Sequence, residues 1–165
     1  MQRVKKIEGV FVMRIVVMSD CHGRTLPVEQ AIERSNPDVF IYCGDGTEKV
    51  EDISFIYSNI KFYFVKGNCD FADYPIEQEI KLSGKTVFFT HGHKYSVKSG
   101  YNRIIEEGKR RQADIVLFGH THDAYNKYID GMYLVNPGSA GMSFHPTYAF
   151  IEIVGGSIVT NIVEL

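Results

Sequence analysis

Five of the six histidines of this 165-residue chain fall inside short motifs. In order, these are Asp20-Cys21-His22, Gly44-Asp45, Gly67-Asn68-Cys69-Asp70, His91-Gly92-His93 and Gly119-His120-Thr121-His122. Imidazoles and carboxylates in such a series are the donors of a divalent metal centre built from nitrogen and oxygen. The three cysteines show no CxxC spacing, so a thiolate-bound structural zinc is not indicated. The donor set suits Mn, Fe, Co, Ni or Zn, with manganese the expected occupant.

The elements that must position these residues can be read beside them. Each motif closes an apolar or β-branched run, at residues 14–18, 39–42, 61–65, 86–89 and 115–118. The ligands should therefore gather on strand-end loops along one edge of a sheet. Within Asp20-Cys21-His22 and His120-Thr121-His122 the spacing is i, i+2, which in extended backbone sends both side chains to one side. A helix is expected over 25–32, with Pro27 in its first turn and Asn36-Pro37 closing it. A second is expected over 50–58 and a strand over 60–65, so the front half reads βαβαβ with parallel strands. Strand pairs 76–82/85–90, 124–129/132–135 and 148–154/157–163 flank Ser83-Gly84, Asp130-Gly131 and Gly155-Gly156 and read as hairpins. A helix over 102–112 is weakened by Gly108. Two facing sheets with helices outside would result.

The motifs in this order resemble the calcineurin-like metallophosphoesterases, and among them the small YfcE-type phosphodiesterases. That pattern, D-x-H, G-D, G-N-H-D/E, H, G-H-x-H, is met from Asp20 to His122, and Asn136-Pro137-Gly138-Ser139 resembles a further element of the small subfamily. The resemblance implies an α/β fold, a four-layer sandwich of two mixed β-sheets flanked by α-helices. It implies that Asp20, His22, Asp45 and His122 bind one metal, that Asp45, Asn68, His91 and His120 bind the other, and that Asp45 bridges them. The implied activity is a dinuclear metal-dependent phosphodiesterase, hydrolysing small or activated phosphodiesters by attack of a metal-bridging hydroxide. Charge agrees with this. Two divalent ions against two carboxylates and one hydroxide leave a net of about one positive charge to receive an anionic ester.

The chain departs from the broad pattern at Cys69, where the family places a histidine as general acid. Cys69 and His93 are the candidate acids, with water as the remaining proton source. Esters with acidic leaving groups, such as aryl phosphates, should turn over faster than alkyl ones. Loops 69–74, 95–101 and 141–146 border the motifs, and Tyr74, Tyr95 and Phe144 are their candidates for stacking on a base or aryl group. Arg24 and His145 read as loop residues, and Lys109-Arg110-Arg111 as the basic end of a helix rather than a nucleic-acid patch.

Composition bounds the rest. A net charge of -2, a pI near 6.3 and 44% hydrophobic residues describe an ordinary globular domain without a basic footprint for nucleic acid. No stable nucleic-acid complex or membrane span is expected. Three cysteines without a secretory leader read as reduced residues of a cytoplasmic protein. Residues 13–165 form one expected domain, with 1–12 a disordered or misassigned extension and Met13 an alternative start. The edge of the final hairpin offers a homodimer contact. A protein-binding scaffold of the same fold and a nucleotidase or phosphomonoesterase are the alternative functions. All seven ligand side chains are present, and a scaffold has no chemical use for them.

Overall fold

Alternate residues of one apolar run face two different cores, and this sets the layers. In a computed structural model describing residues 5–7 and 9–165, strand β2 (Val10–Met18) sends Met13, Ile15 and Val17 into the space between two sheets. Val16 and Met18 point the other way, under the helices α1 (Leu26–Ser35) and α2 (Thr47–Ser54), where they meet Val28, Ala31, Ile32, Val50 and Ile53. Strand β3 (Val39–Tyr42) is buried throughout, as a strand covered on both faces must be.

The first sheet runs β11-β10-β2-β3-β4, with β1 (Lys5–Ile7) pairing antiparallel to β2 beyond this path. Here β4 is Lys61–Phe64, β10 Thr147–Val154 and β11 Ser157–Glu164, and β11 lies at the edge. The second sheet runs β5-β6-β7-β9-β8, with β5 Glu77–Leu82, β6 Lys85–Thr90, β7 Ile115–Leu117, β8 Ala124–Ile129 and β9 Met132–Pro137. Its outer face, Phe88, Val116, Met132 and Leu134, packs under α3 (Asn102–Arg110). The four layers and the mixed sheets agree with the expected fold. Pairs β2/β3, β3/β4, β6/β7 and β7/β9 are parallel. No helix among the described residues is long and apolar enough to cross a membrane.

Several boundaries moved for identifiable reasons. The first long strand starts at Val10 rather than Arg14, because β10 and β1 give its early residues partners. Of the expected 1–12 extension, residues 1–4 and 8 lie outside the described residues, while Lys5–Ile7 pair with 10–12. Helix α2 starts at Thr47 instead of Val50, since a distant carboxylate, that of Asp70, accepts the first N–H groups of the helix. Helix α3 runs through Gly108 to Arg110. A Cβ there would stand 2.6 Å from Val116 Cγ2 and 2.7 Å from Met132 Sδ, so the glycine lets the helix touch the sheet.

The basic end of α3 is neutralised from within. Lys109 pairs with Asp130, and Arg110 with Glu107. Arg111 reaches Glu107 (2.6 Å), Glu77 (2.5 Å) and Glu79 (3.4 Å) while its guanidinium lies 4.3 Å from the Phe88 ring centroid. Hydrogen bonds from Arg110 and Arg111 hold the Glu107 carboxyl down at about 2. Arg111→Ala should lower the unfolding free energy at pH 7 by about 2 kcal/mol, between an exposed and a buried pair. Because the folded-state pKa of Glu107 is depressed, this contribution is complete above about pH 4.3 and fades as pH falls toward 2. Urea titrations of the two proteins should therefore differ at pH 7 and converge in acid; an equal gap at both would show that packing on Phe88 carries the effect.

Candidate metal centre

The five motifs follow the C-terminal ends of β2, β3, β4, β6 and β7, the parallel strands of the two sheets, and the Asn136-Pro137-Gly138-Ser139 segment ends β9. Strand ends of this kind are where loops carry function in α/β folds. The expectation of extended i, i+2 pairs is overturned. Asp20 (φ 57°), His22 (φ 45°), Asp45 (φ 62°), His120 (φ 70°) and His122 (φ 65°) all adopt the left-handed conformation. Each such residue costs about 1–3 kcal/mol and persists only where its surroundings impose the conformation. They do. Asp20 N–H donates to Gly44 O (2.9 Å), His22 N–H to Asp45 O (3.1 Å), and His120 N–H to Asp20 Oδ2 (3.0 Å). Left-handed turns at the strand ends thus aim the side chains inward by contacts between motifs, not by strand pleating.

The side chains converge. His122 Nε2 lies 3.2 Å from Asp20 Oδ1, and His22 Nε2 lies 3.8 Å from Asp20 Oδ1 and 3.9 Å from Asp45 Oδ2. His91 Nε2 lies 3.3 Å from Asp45 Oδ2 and 3.1 Å from His120 Nδ1. Donor atoms of Asp20, His22 and His122 form one group mutually within 4.8 Å, and those of Asp45, His91 and His120 form another. Each holds three of the four residues expected for one ion: Asp45 is absent from the first group and Asn68 from the second, and His22, Asp45 and Cys69 form a third. Asn68 is exposed beside them, its Nδ2 donating to Cys69 Sγ (3.4 Å).

These residues fit a cation better than they fit one another. Asp20 is fully buried, yet its Oδ1 receives no hydrogen bond. A buried carboxylate oxygen without a donor is unstable unless a cation meets it. The Nδ1–H of His91 donates to Cys43 O (2.7 Å), which turns the Nε2 lone pair toward Asp45 and His120. For His120, burial and the neighbouring His91 hold the pKa down at about 4, so its imidazole is neutral and able to ligate at pH 7. Burial works against ionisation of Asp45, but His91 and the Cys69 N–H outweigh it and hold the carboxyl well below the usual range. Gly67 sits against that carboxylate so closely that a Cβ there would overlap Asp45 Oδ1.

The supporting contacts include residues to which sequence reasoning assigned no role. Asp70 accepts five hydrogen bonds, from Asp45 N–H (2.8 Å), Gly46 N–H (2.7 Å), Thr47 N–H (3.1 Å), Thr47 Oγ1 (2.7 Å) and Gly67 N–H (2.8 Å). It thereby shapes the loop that holds Asp45. The Ser139 hydroxyl donates to Asp20 O (3.0 Å), and the Asn136 amide donates to Gly119 O and Thr121 Oγ1 (2.9 Å each). The available signal was the place of Asp70 as the last residue of its motif; its partners Asp45, Gly46 and Thr47, 23 to 25 residues away, were not visible in the sequence.

Other candidates separate clearly. Cys69 is exposed, and its sulfur joins His22 and Asp45 in a third donor group. Cys21 and Cys43 are buried, and burial pushes both thiols up, so they are inert. His93 lies on the other side, its ring 5.5 Å from that of His91, with Nδ1 buried and without a partner. Arg24 ties its loop to Gly141 O (3.0 Å), and His145 bonds Glu164 (2.7 Å). Two stacking candidates are corrected. Tyr74 packs on Phe64 with its hydroxyl on Glu51, and Tyr95 packs on Phe88 with its hydroxyl on Glu77, so neither ring is free.

Comparison with known proteins decides the family. Residues 13–156 match the model of the calcineurin-like phosphoesterase superfamily domain. The chain belongs to that superfamily. Among calcineurin-like relatives, it is 30% identical over 152 residues to a probable metallophosphoesterase of Mycoplasma pneumoniae, covering 88% of this chain and 92% of that one. It is 27% identical to a phosphodiesterase of Methanocaldococcus jannaschii, over 76% of this chain and 83% of the relative. A predicted phosphoesterase of Streptococcus pneumoniae superposes with a TM-score of 0.74 at 25% identity, covering 93% and 98% of the two chains. Vacuolar protein sorting 29 of Cryptosporidium parvum superposes with a TM-score of 0.75 at 17% identity, covering 94% and 98%, a likeness of fold alone.

Proposed function

We propose that this chain is a dinuclear metal-dependent phosphodiesterase of small or activated phosphodiesters. Asp20, His22, Asp45 and His122 hold one ion, and Asp45, Asn68, His91 and His120 hold the other. The observation that carries this reading is the buried, donorless Oδ1 of Asp20 facing an imidazole cluster that is shared with Asp45. The name of the archaeal relative, a phosphodiesterase, supports the same class. Two bound divalent ions supply a hydroxide nucleophile at neutral pH and Lewis-acid stabilisation of charge at phosphorus.

The chain's own residues do the remaining work. Asp45 and Asp20 bring the negative charge, His91 is held in one tautomer by Cys43 O, and the left-handed turns keep the imidazoles from reorienting. For the leaving group, Cys69 and His93 are the two candidate proton donors, the Cys69 sulfur grouped with His22 and Asp45 and the His93 ring 5.5 Å from that of His91. Desolvation and the Asp45 carboxylate push the Cys69 thiol up, and burial and His91 hold His93 below its usual range. A thiol is a weak acid, so esters that leave without a proton should react faster.

Metal-stripped protein is expected to lose hydrolysis of bis-p-nitrophenyl phosphate and to regain it with Mn²⁺. Across aryl diesters the rate should rise as the leaving-group pKa falls; a flat series would remove weak-acid assistance. Absence of hydrolysis with every divalent ion, despite two bound metals, would move the assignment to a binding scaffold of the same fold.

A further inference from the structure

Next to the centre an open cleft of about 260 Å³ runs from His22 and Cys69 past Gly46 to Glu48, Lys49 and Phe71. Its most unusual occupant is Phe71, a phenyl side chain 95% exposed, one residue beyond Asp70. The loop that carries it is nevertheless tied down. Ala72 N–H donates to Glu48 Oε1 (3.1 Å), and the Asp70 carboxylate is saturated by its five donors. A large ring held in water on an anchored loop, with Tyr74 and Tyr95 committed to packing, is a surface prepared for another ring. The Glu48 and Asp70 carboxylates that line the cleft are turned toward backbone donors, and the exposed Lys49 stands beside them.

We propose that this cleft is a subsite for the aromatic substituent of the phosphate ester, a nucleobase or aryl ring stacked on Phe71, with Lys49 at its rim. The proposal rests on the metal-centre reading, because His22, a ligand in that reading, also lines the cleft, so that a phosphate bound at the centre would have its ester group beside it. It assigns the substrate to phosphate esters that carry an aromatic ring, nucleotide-like diesters among them. A cleft of this size takes one ring system rather than a polymer.

The test is calorimetric binding to the Mn²⁺-loaded protein of inorganic phosphate, which reports on the metals alone, and of adenosine 5′-monophosphate, which reports on metals plus subsite. Stacking on one base should make the nucleotide roughly tenfold tighter than phosphate. Phe71→Ala should abolish that advantage and leave phosphate binding unchanged, with Phe71→Trp restoring it. Phe71 is exposed, so these variants retain the fold. Equal affinity for the two probes, or a nucleotide advantage that survives Phe71→Ala, overturns the subsite. The same holds if the advantage disappears instead with Phe144→Ala, the other fully exposed aromatic side chain. Failure of phosphate itself to bind overturns the metal-centre reading, a separate result.

Discussion

Asp45→Asn is expected to lower hydrolysis of bis-p-nitrophenyl phosphate by about a thousandfold while leaving the protein folded, the scale on which loss of one electrostatic group at a reacting centre acts. The substitution is nearly isosteric. Its Oδ1 can still accept the Cys69 N–H (2.8 Å), so the loop retains its geometry, but Oδ2 no longer carries the charge that faces His91 at 3.3 Å and His22 at 3.9 Å. Asp45 is the residue whose donor atoms fall in both the His91–His120 group and the His22–Cys69 group, so its neutralisation should reduce bound metal from two ions toward one. Metal content by mass spectrometry, circular dichroism and the rate make up the measurement. Full activity with two ions bound would end the bridging assignment.

Asp70→Ala should have the larger effect on stability, about 3 kcal/mol. Its removal leaves five donors around one half-buried position, and each unsatisfied donor costs about 1–3 kcal/mol less whatever water restores. The same change frees the N-terminus of α2 and the turn that holds Asp45, so metal affinity should fall together with stability. Acidity gives a second readout. Burial opposes ionisation of Asp70, but the Gly67, Gly46 and Thr47 donors prevail and hold its carboxyl below the ordinary range. A depressed folded-state pKa stabilises the protein above the unfolded value, near pH 3.9, and this is lost as pH falls below it. The difference between parent and variant in denaturant titrations should therefore be full at pH 7 and shrink below about pH 4. A variant as stable as the parent would show that Asp70 only fills space.

The four-layer fold was legible in the chain itself, and so was the clustering of Asp20, His22, Asp45, His91, His120 and His122 at neighbouring strand ends. Residue type determines what a side chain can coordinate, and the period of apolar residues around Ile15, Phe40 and Val116 determines which runs become strands covered on both faces. Hairpins were legible because Ser83 and Asp130, followed by glycine, accept positive φ locally. What the tertiary structure alone decided is conformation set by remote partners. The left-handed turns of Asp20, His22 and His120 are fixed by hydrogen bonds to neighbouring motifs rather than by i, i+2 spacing. The start of α2 is set by Asp70 from 23 residues away, and Phe71, rather than Tyr74 or Tyr95, was left facing the cleft. Local composition states which conformations a residue can bear, but a hydrogen bond closed across the chain chooses among them, because its energy exceeds the small differences in local preference.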